Sequence, residues 1–280
     1  MKTEDITVVI TSFKSKQKIF TCLKSVGLHT KVIVIENSND KKLKKQIETD
    51  YPNLECFLSE ENLGYAKGNN LALSKVKTKY ALILNPDATL EKNAINNFLL
   101  RVNDLKDFAI IAPMIQTDKD NNFQENDISL KQVNSVKGFA MFLNLKEFEN
   151  VGFFDKNFFI YFEEIDLCKR LVKENKKIFL DPNIKIFHDG GSSHDPEINF
   201  EMELSRNWHW MWSSFYFYNK HYGYTYALLK MSRKFISALL KSIFFLIILK
   251  KKKSLIYYRR FSGILNSMLF KNSWYRPKIF

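Results

Sequence analysis

Acidic residues are missing from the C-terminal part of the chain: residues 205–280 hold 15 Lys and Arg and no Asp or Glu. The whole chain of 280 residues has 43 basic and 30 acidic side chains, so the formal charge of +13 lies in that stretch and the first 204 residues are close to neutral. A segment so one-sided is drawn to polyanions, either nucleic acid or an anionic lipid surface. Cysteine is scarce as well. Cys22, Cys56 and Cys168 are far apart and form no CxxC, which argues against a thiolate zinc site or a disulfide framework and suits a reducing compartment. Among the nine glycines there is no GxGxxG and no GK[ST], which excludes a dinucleotide fingerprint and a P-loop. The opening MKTEDITVVITSF sets acids ahead of a short apolar run, unlike a signal peptide. The longest clean apolar run, residues 243–249, is too short to cross a bilayer.

What remains is the composition of a globular chain, 45% hydrophobic and 26% charged, long enough for one large domain or a domain with an appendage. The first half alternates β-branched runs with polar, helix-like stretches. Strands are expected at 6–11, 32–35, 54–58, 80–84 and 108–112, and helices at 16–26, 41–49, 66–76 and 92–103. This rhythm predicts an α/β fold with a parallel sheet and crossover helices, in which ligands sit beyond the carboxyl ends of the strands. Polar residues follow the strands at the right places: Thr11-Ser12, Glu36-Asn37-Ser38 and Asn85-Pro86-Asp87.

Four strings carry chemistry. In ALILNPDATL, Pro86 ends a buried strand and Asp87 stands at its carboxyl end, where a carboxylate can hold Mg²⁺ or Mn²⁺; taken alone, NPD reads first as a turn. In NLGYAKGNN, Gly64 and Gly68 permit close backbone approach at a helix N-terminus suited to anions, or simply a tightly packed helix start. In VGFFDKNFFIYFEEIDLCKRL, Glu163, Glu164 and Asp166 cluster at the start of an amphipathic helix. Mutual repulsion there can raise a pKa and yield a general base, although a solvated acidic first turn has the same pattern. In IKIFHDGGSSH, His188 follows an alternating strand and is either a metal ligand or structural.

In this order, NLGYAKGNN, LNPDA, GFFDKNFFIYFEEIDLCKRL and HDGGSS resemble the family 2 glycosyltransferases with a GT-A fold, and within them the rhamnosyltransferase-like branch, over residues 6–222. The resemblance implies inverting transfer from a nucleotide-diphosphate sugar to a saccharide or lipid-linked acceptor, aided by Mg²⁺ or Mn²⁺. It implies that Thr11, Ser12, Glu36 and Asn37 border the nucleotide. Asn62, Gly64, Lys67 and Asn70 would line the donor, and Asn85 and Asp87 would form the DxD-type motif. Asp87 and His188 would hold the metal, and Glu164 would be the base, with Asp166 supporting the same helix start. Gly138 and Glu163 would lie on the acceptor side. Four positions depart from the family pattern: Glu36 and Glu164 replace Asp, Asn85 replaces the first acid of DxD, and Lys14 replaces an Asn.

Past residue 222 the text changes, and a GT-A domain of 1–222 with a helical extension of 223–280 is expected. Lys230, Arg233, Lys234, Ser237 and Lys241 share one helix face, while leucines, isoleucines and phenylalanines fill the rest. Such a helix lies in a membrane interface, and Lys250–Lys253 strengthen the attraction to anionic head groups. This predicts a cytoplasmic protein held peripherally on the inner face of the cell membrane. Nucleic-acid binding fits the tail but gives no use to the carboxylates and histidine that follow successive strands. A sugar nucleotidyltransferase would want a glycine-rich loop after the first strand, where TSFKSKQK has none. A degenerate homologue is compatible with Asn85 and Glu36. The sequence assigns no oligomeric state.

Overall fold

The computed structural model describes residues 3–105, 107–116, 129–188 and 193–277. The expected Asp189, Gly190, Gly191 and Ser192 of the HDGGSS string lie outside them. Two compact units are present, one made of 1–154 and 164–195, the other of 155–163 and 196–280.

The first unit is built on strands β1 (Ile6–Ser12), β2 (Lys31–Glu36), β3 (Leu54–Leu58), β4 (Tyr80–Leu84), β5 (Ala88–Leu90), β6 (Ile110–Gln116), β7 (Lys131–Gln132), β8 (Ala140–Asn144) and β9 (Ile178–His188). Helices α1 (Lys16–Val26), α2 (Lys41–Asp50), α3 (Gly64–Leu73), α4 (Ala94–Asp104) and α5 (Glu163–Lys173) connect them. The sheet order is β3-β2-β1-β4-β8-β6-β9-β5, with β7 on β9. The expected parallel sheet occupies β3-β2-β1-β4, where all three pairings are parallel. Beyond β4 the sheet is mixed, since β8 runs antiparallel to both β4 and β6, and β5 antiparallel to β9. All five residues of β4 and of β8 are buried. Burial on both faces is what lets YALIL and AMFLN be continuously apolar. Phe142 on β8 stacks on Phe98 of α4 at 5.0 Å and on Tyr80 of β4 at 5.3 Å, tying helix and sheet into one core.

The second unit contains α6 (Asn199–Tyr222), α7 (Tyr224–Ile247) and α8 (Lys251–Met268). The expected boundary at residue 223 falls inside this unit, at the break between α6 and α7, where Gly223 takes φ of 88°. α6 stays with the later helices because Met211 and Phe215 pack with Ala227, Met231 and Ile264. Trp208 and Trp212 pack with Tyr275. His209, fully buried, keeps a neutral ring: burial pushes its pKa down to about 3. Its Nε2 pairs with the Tyr275 carbonyl at 2.8 Å and its Nδ1 with the Ser273 hydroxyl at 3.1 Å, which pins the C-terminal segment to α6. α8 approaches α6 backbone to backbone at Gly263, where a Cβ would stand 2.3 Å from the Trp208 carbonyl oxygen. Gly263→Ala is therefore expected to force the helices apart and lower stability by about 1–3 kcal/mol, measurable as an earlier thermal unfolding midpoint. Among the described residues, no helix is long and apolar enough to cross a membrane.

Candidate active site

The carboxyl ends of β1, β2 and β4 lie side by side by parallel register, with Ser12 opposite Glu36 and Val9 opposite Ile83. Thr11 Oγ1 and Ser12 Oγ are buried there without a hydrogen-bond partner. Beyond β4, the backbone N–H of Asn85 donates to the Phe139 carbonyl at 2.8 Å, continuing the β4–β8 ladder one step past Leu84–Ala140. Pro86 then turns the chain, and β5 begins at Ala88, directly opposite His188 on β9. That pairing puts Asp87 beside the imidazole: Oδ1 stands 3.3 Å from His188 Nε2. Neither Asp87 oxygen accepts a hydrogen bond, although the side chain is only 1% exposed. Asn85 Nδ2 lies 3.4 Å from the same ring nitrogen, and the Phe139 ring stacks on His188 at 4.7 Å. Beneath them the Cys22 thiol contacts the Asn85 carbonyl at 3.5 Å. Burial, and after it the Asp87 charge, raises that thiol far above its usual range, so it is an inert spacer and no nucleophile.

The base candidate sits at the start of α5. Glu164 accepts from the backbone N–H groups of Glu164 and Ile165, its Oε2 has no partner, and burial raises its pKa above 4.5. A Cβ on Gly138 would stand 3.4 Å from Glu164 Cβ and 3.1 Å from the Tyr65 hydroxyl. Gly138 and Phe139 are thus consecutive residues that touch Glu164 on one side and His188 on the other. The expected acceptor-side residues are Gly138, at this close approach, and Glu163, buried at the first position of α5. Just before that helix, Tyr161 and Phe162 take φ of 71° and 69°. Two consecutive bulky residues in the left-handed region are costly and typical of functional turns.

Other expected residues are engaged in bracing. Glu36 is fully buried and accepts from the backbone N–H of Ser38 at 3.0 Å, from that of Asp40 at 2.7 Å and from the Ser38 hydroxyl. Asn37 joins the Gly64 carbonyl at 3.2 Å and the Ser59 hydroxyl at 3.0 Å. Asn62 Oδ1 receives the Gly64 N–H at 3.0 Å, and Gly64 itself takes φ of 71°. Asn70 grips the backbone of Phe154 through both amide ends, at 2.8 and 3.0 Å. Lys67 is exposed. Asp166, which the resemblance makes a support for the helix start that carries Glu164, is buried and paired with Arg170 at 2.8 Å. Arg170 in turn donates to the carbonyls of Val151, Gly152 and Phe153. Phe139, Tyr65 and Cys22 are not among the site residues expected from the sequence. None has a local signature, since each matters only through a contact more than 45 residues away in the chain.

The model of the family described as Glycosyl transferase family 2 matches residues 7–190. The chain is 25% identical over 199 residues to the low-salt glycan biosynthesis hexosyltransferase Agl10 of Haloferax volcanii, covering 62% of this chain and 64% of that protein. The chain therefore matches less than two thirds of that relative's length. It is 27% identical over 228 residues to the rhamnosyltransferase WbbL of Escherichia coli, covering 69% of this chain and 84% of that protein. Among solved structures, the mannosyltransferase PcManGT from Pyrobaculum calidifontis, in complex with GDP-Man and Mn²⁺, superposes with a TM-score of 0.59. That match has 10% identity and covers 96% of this chain and 88% of the other, a likeness of fold, and the fold is GT-A.

Proposed function

Since the chain belongs to glycosyl transferase family 2, we propose that it moves a hexose, rhamnose among the candidates, from a nucleotide-diphosphate donor to a hydroxyl of a saccharide or lipid-linked saccharide. The reaction inverts the anomeric carbon and serves the synthesis of a cell-surface polysaccharide. The observation that carries this reading is the pair Asp87–His188. A buried carboxylate without a donor is costly unless something cationic faces it. Asp87 Oδ1 and His188 Nε2, 3.3 Å apart, would be near enough for both to hold one divalent cation. The donor set thus fits Mg²⁺ or Mn²⁺, which when bound would neutralise charge on the departing diphosphate.

The chain's own groups do the remainder. Glu164 takes the proton from the acceptor hydroxyl as its oxygen attacks the anomeric carbon from the face opposite the phosphate. The unpartnered Thr11 and Ser12 hydroxyls offer the donor hydrogen bonds at the sheet edge. Asp166, through Arg170, and Asn70 hold the 151–154 segment and act as positioning residues. The same reading makes the chain a peripheral protein of an anionic membrane on the cytoplasmic face, where its acid-free helices would sit near a lipid-linked acceptor.

A thermal-shift screen of nucleoside diphosphates with and without Mn²⁺ tests the core of this proposal. One nucleotide is expected to stabilise the protein, and only with the metal. At a hundredfold excess over Kd the gain is about 2.7 kcal/mol, a rise of roughly 5–10 °C for a chain of this size. If no nucleotide shifts the midpoint under either condition, the reading fails.

A further inference from the structure

The C-terminal helices hide their apolar side chains unevenly. Along α7, Ala227, Met231 and Ala238 are buried in the unit's own packing. Its outer side exposes Leu229, Ile236, Leu239 and Leu240, and past Ser242 the exposure becomes nearly continuous: Ile243, Phe244, Leu246, Ile247, Ile248 and Leu249 are all exposed, Ile247 by 73% and Leu249 by 79%. These residues form the tip of a helical hairpin, where α7 turns into α8. Soluble surfaces rarely display so contiguous an apolar group.

Three features suit this tip to a non-aqueous medium. First, its backbone donors are satisfied within the turn. Ile248 N–H reaches the Phe244 carbonyl at 3.1 Å, Leu249 N–H that of Leu246 at 3.0 Å and Lys250 N–H that of Phe245 at 2.8 Å, with Leu249 in the left-handed region at φ of 57°. Backbone polar groups left open would forbid entry into lipid. Second, the hairpin is locked just behind the tip. The Ser242 and Ser254 hydroxyls each donate to the other residue's carbonyl, at 3.1 and 2.8 Å, and Phe245 stacks on Tyr257 at 5.4 Å. A tip held rigid in advance loses little conformational freedom on insertion. Third, four consecutive lysines, Lys250 to Lys253, follow the apolar group without a break and without an acid anywhere in residues 205–280. Lipid phosphates are their complement. Five helical residues separate Ser242 from the end of α7 at Ile247, about 7.5 Å of rise, which lies within the roughly 5–10 Å depth of an interfacial insertion.

We propose that the α7–α8 hairpin enters an anionic phospholipid bilayer tip first, its six apolar side chains among the acyl chains and Lys250–Lys253 at the head-group phosphates. This rests on the membrane reading above and differs from a helix lying flat, because along the shaft of α7 the exposed apolar residues are interrupted by exposed Lys230, Ser232, Arg233, Lys234 and Lys241, whereas residues 243–249 hold no polar side chain. The proposal assigns the tip alone to lipid.

The test uses the full chain carrying Leu249→Cys labelled with an environment-sensitive dye. The three native cysteines are buried, and burial pushes the Cys56 and Cys168 thiols up to about 12, so the label goes to the tip. Vesicles of phosphatidylcholine with phosphatidylglycerol are expected to float the protein and shift the dye to the blue, and spin labels on the acyl chains should quench it. The double variant Ile247→Glu/Leu249→Glu should float at least ~10-fold less at equal lipid, since each lost apolar burial is worth about a decade. It should unfold at the parent's temperature, because both side chains are exposed. Flotation of the double variant at parental levels, with the label on the Leu249→Cys protein unquenched, overturns tip insertion and leaves membrane association standing. Absence of flotation by the parent overturns both. A dimer that Leu249→Glu dissociates, with no quenching by lipid, makes the tip a contact between copies and also overturns the proposal.

Discussion

Asp87→Asn is expected to abolish sugar transfer while leaving the fold intact. The substitution preserves shape and removes the negative charge that stands 3.3 Å from His188. Stabilisation of diphosphate charge by a bound divalent ion is worth several kcal/mol, so the rate should fall by roughly 10³-fold or more. Two further readouts separate this from a general loss of structure. Nucleotide-dependent thermal stabilisation should no longer respond to Mn²⁺. In metal-free buffer the variant should unfold no earlier than the parent, because Asn replaces a buried carboxylate that has no hydrogen-bond donor. Transfer by Asp87→Asn at the parental rate in saturating Mn²⁺ would remove the basis for the proposed function.

Glu164→Gln is expected to lower the transfer rate about 10²–10⁴-fold, the usual contribution of a general base. The base works only when ionised, and burial holds its pKa above 4.5. The acid limb of the parent's kcat/KM profile should therefore lie above the ordinary carboxylate range, with activity lost as pH falls through the raised value. Stability should change in the opposite sense. As pH rises past 4.5, the unfolded chain ionises Glu164 readily and the folded chain resists, so folding loses stability until the raised pKa is passed. The Gln variant escapes that penalty. Its unfolding temperature should exceed the parent's at neutral pH, and the difference should vanish below about pH 4, where both forms are uncharged. A merely structural Glu164 would give an active variant with no shift in the acid limb. Arg170, which braces the loop ahead of α5, offers a contrast: its loss should act mainly through stability.

The first half of the fold was legible because its signals are local. α1 and β3 stand at the residues where periodicity puts them, 16–26 and 54–58, and each polar group expected at a strand's carboxyl end is there. α3 begins at Gly64, two residues ahead of expectation, because Asn62 Oδ1 caps the turn and Gly64 supplies the left-handed φ. β6 begins at Ile110 and not at 108, since the Phe108 carbonyl is taken by the Asn144 side chain. The antiparallel arm was less legible. Nothing in AMFLN says that it inserts between β4 and β6, for an apolar pentapeptide buried on both faces carries no direction.

Chain-local chemistry thus determined the α/β class, the edge of the sheet where polar residues gather, the carboxylates and histidine worth considering, and the acid-free basic end. Tertiary structure alone decided which of them meet. Ala88 faces His188 across a separation of a hundred residues, and that register brings Asp87 to the imidazole. Close packing drew Glu36, Asn37, Asn70 and Asp166 into bracing bonds, and it buried one face of α7 while leaving the hairpin tip bare. The reason is physical: propensity and periodicity act over a turn or a strand, whereas register, burial and the pKa of a side chain depend on neighbours that only folding supplies.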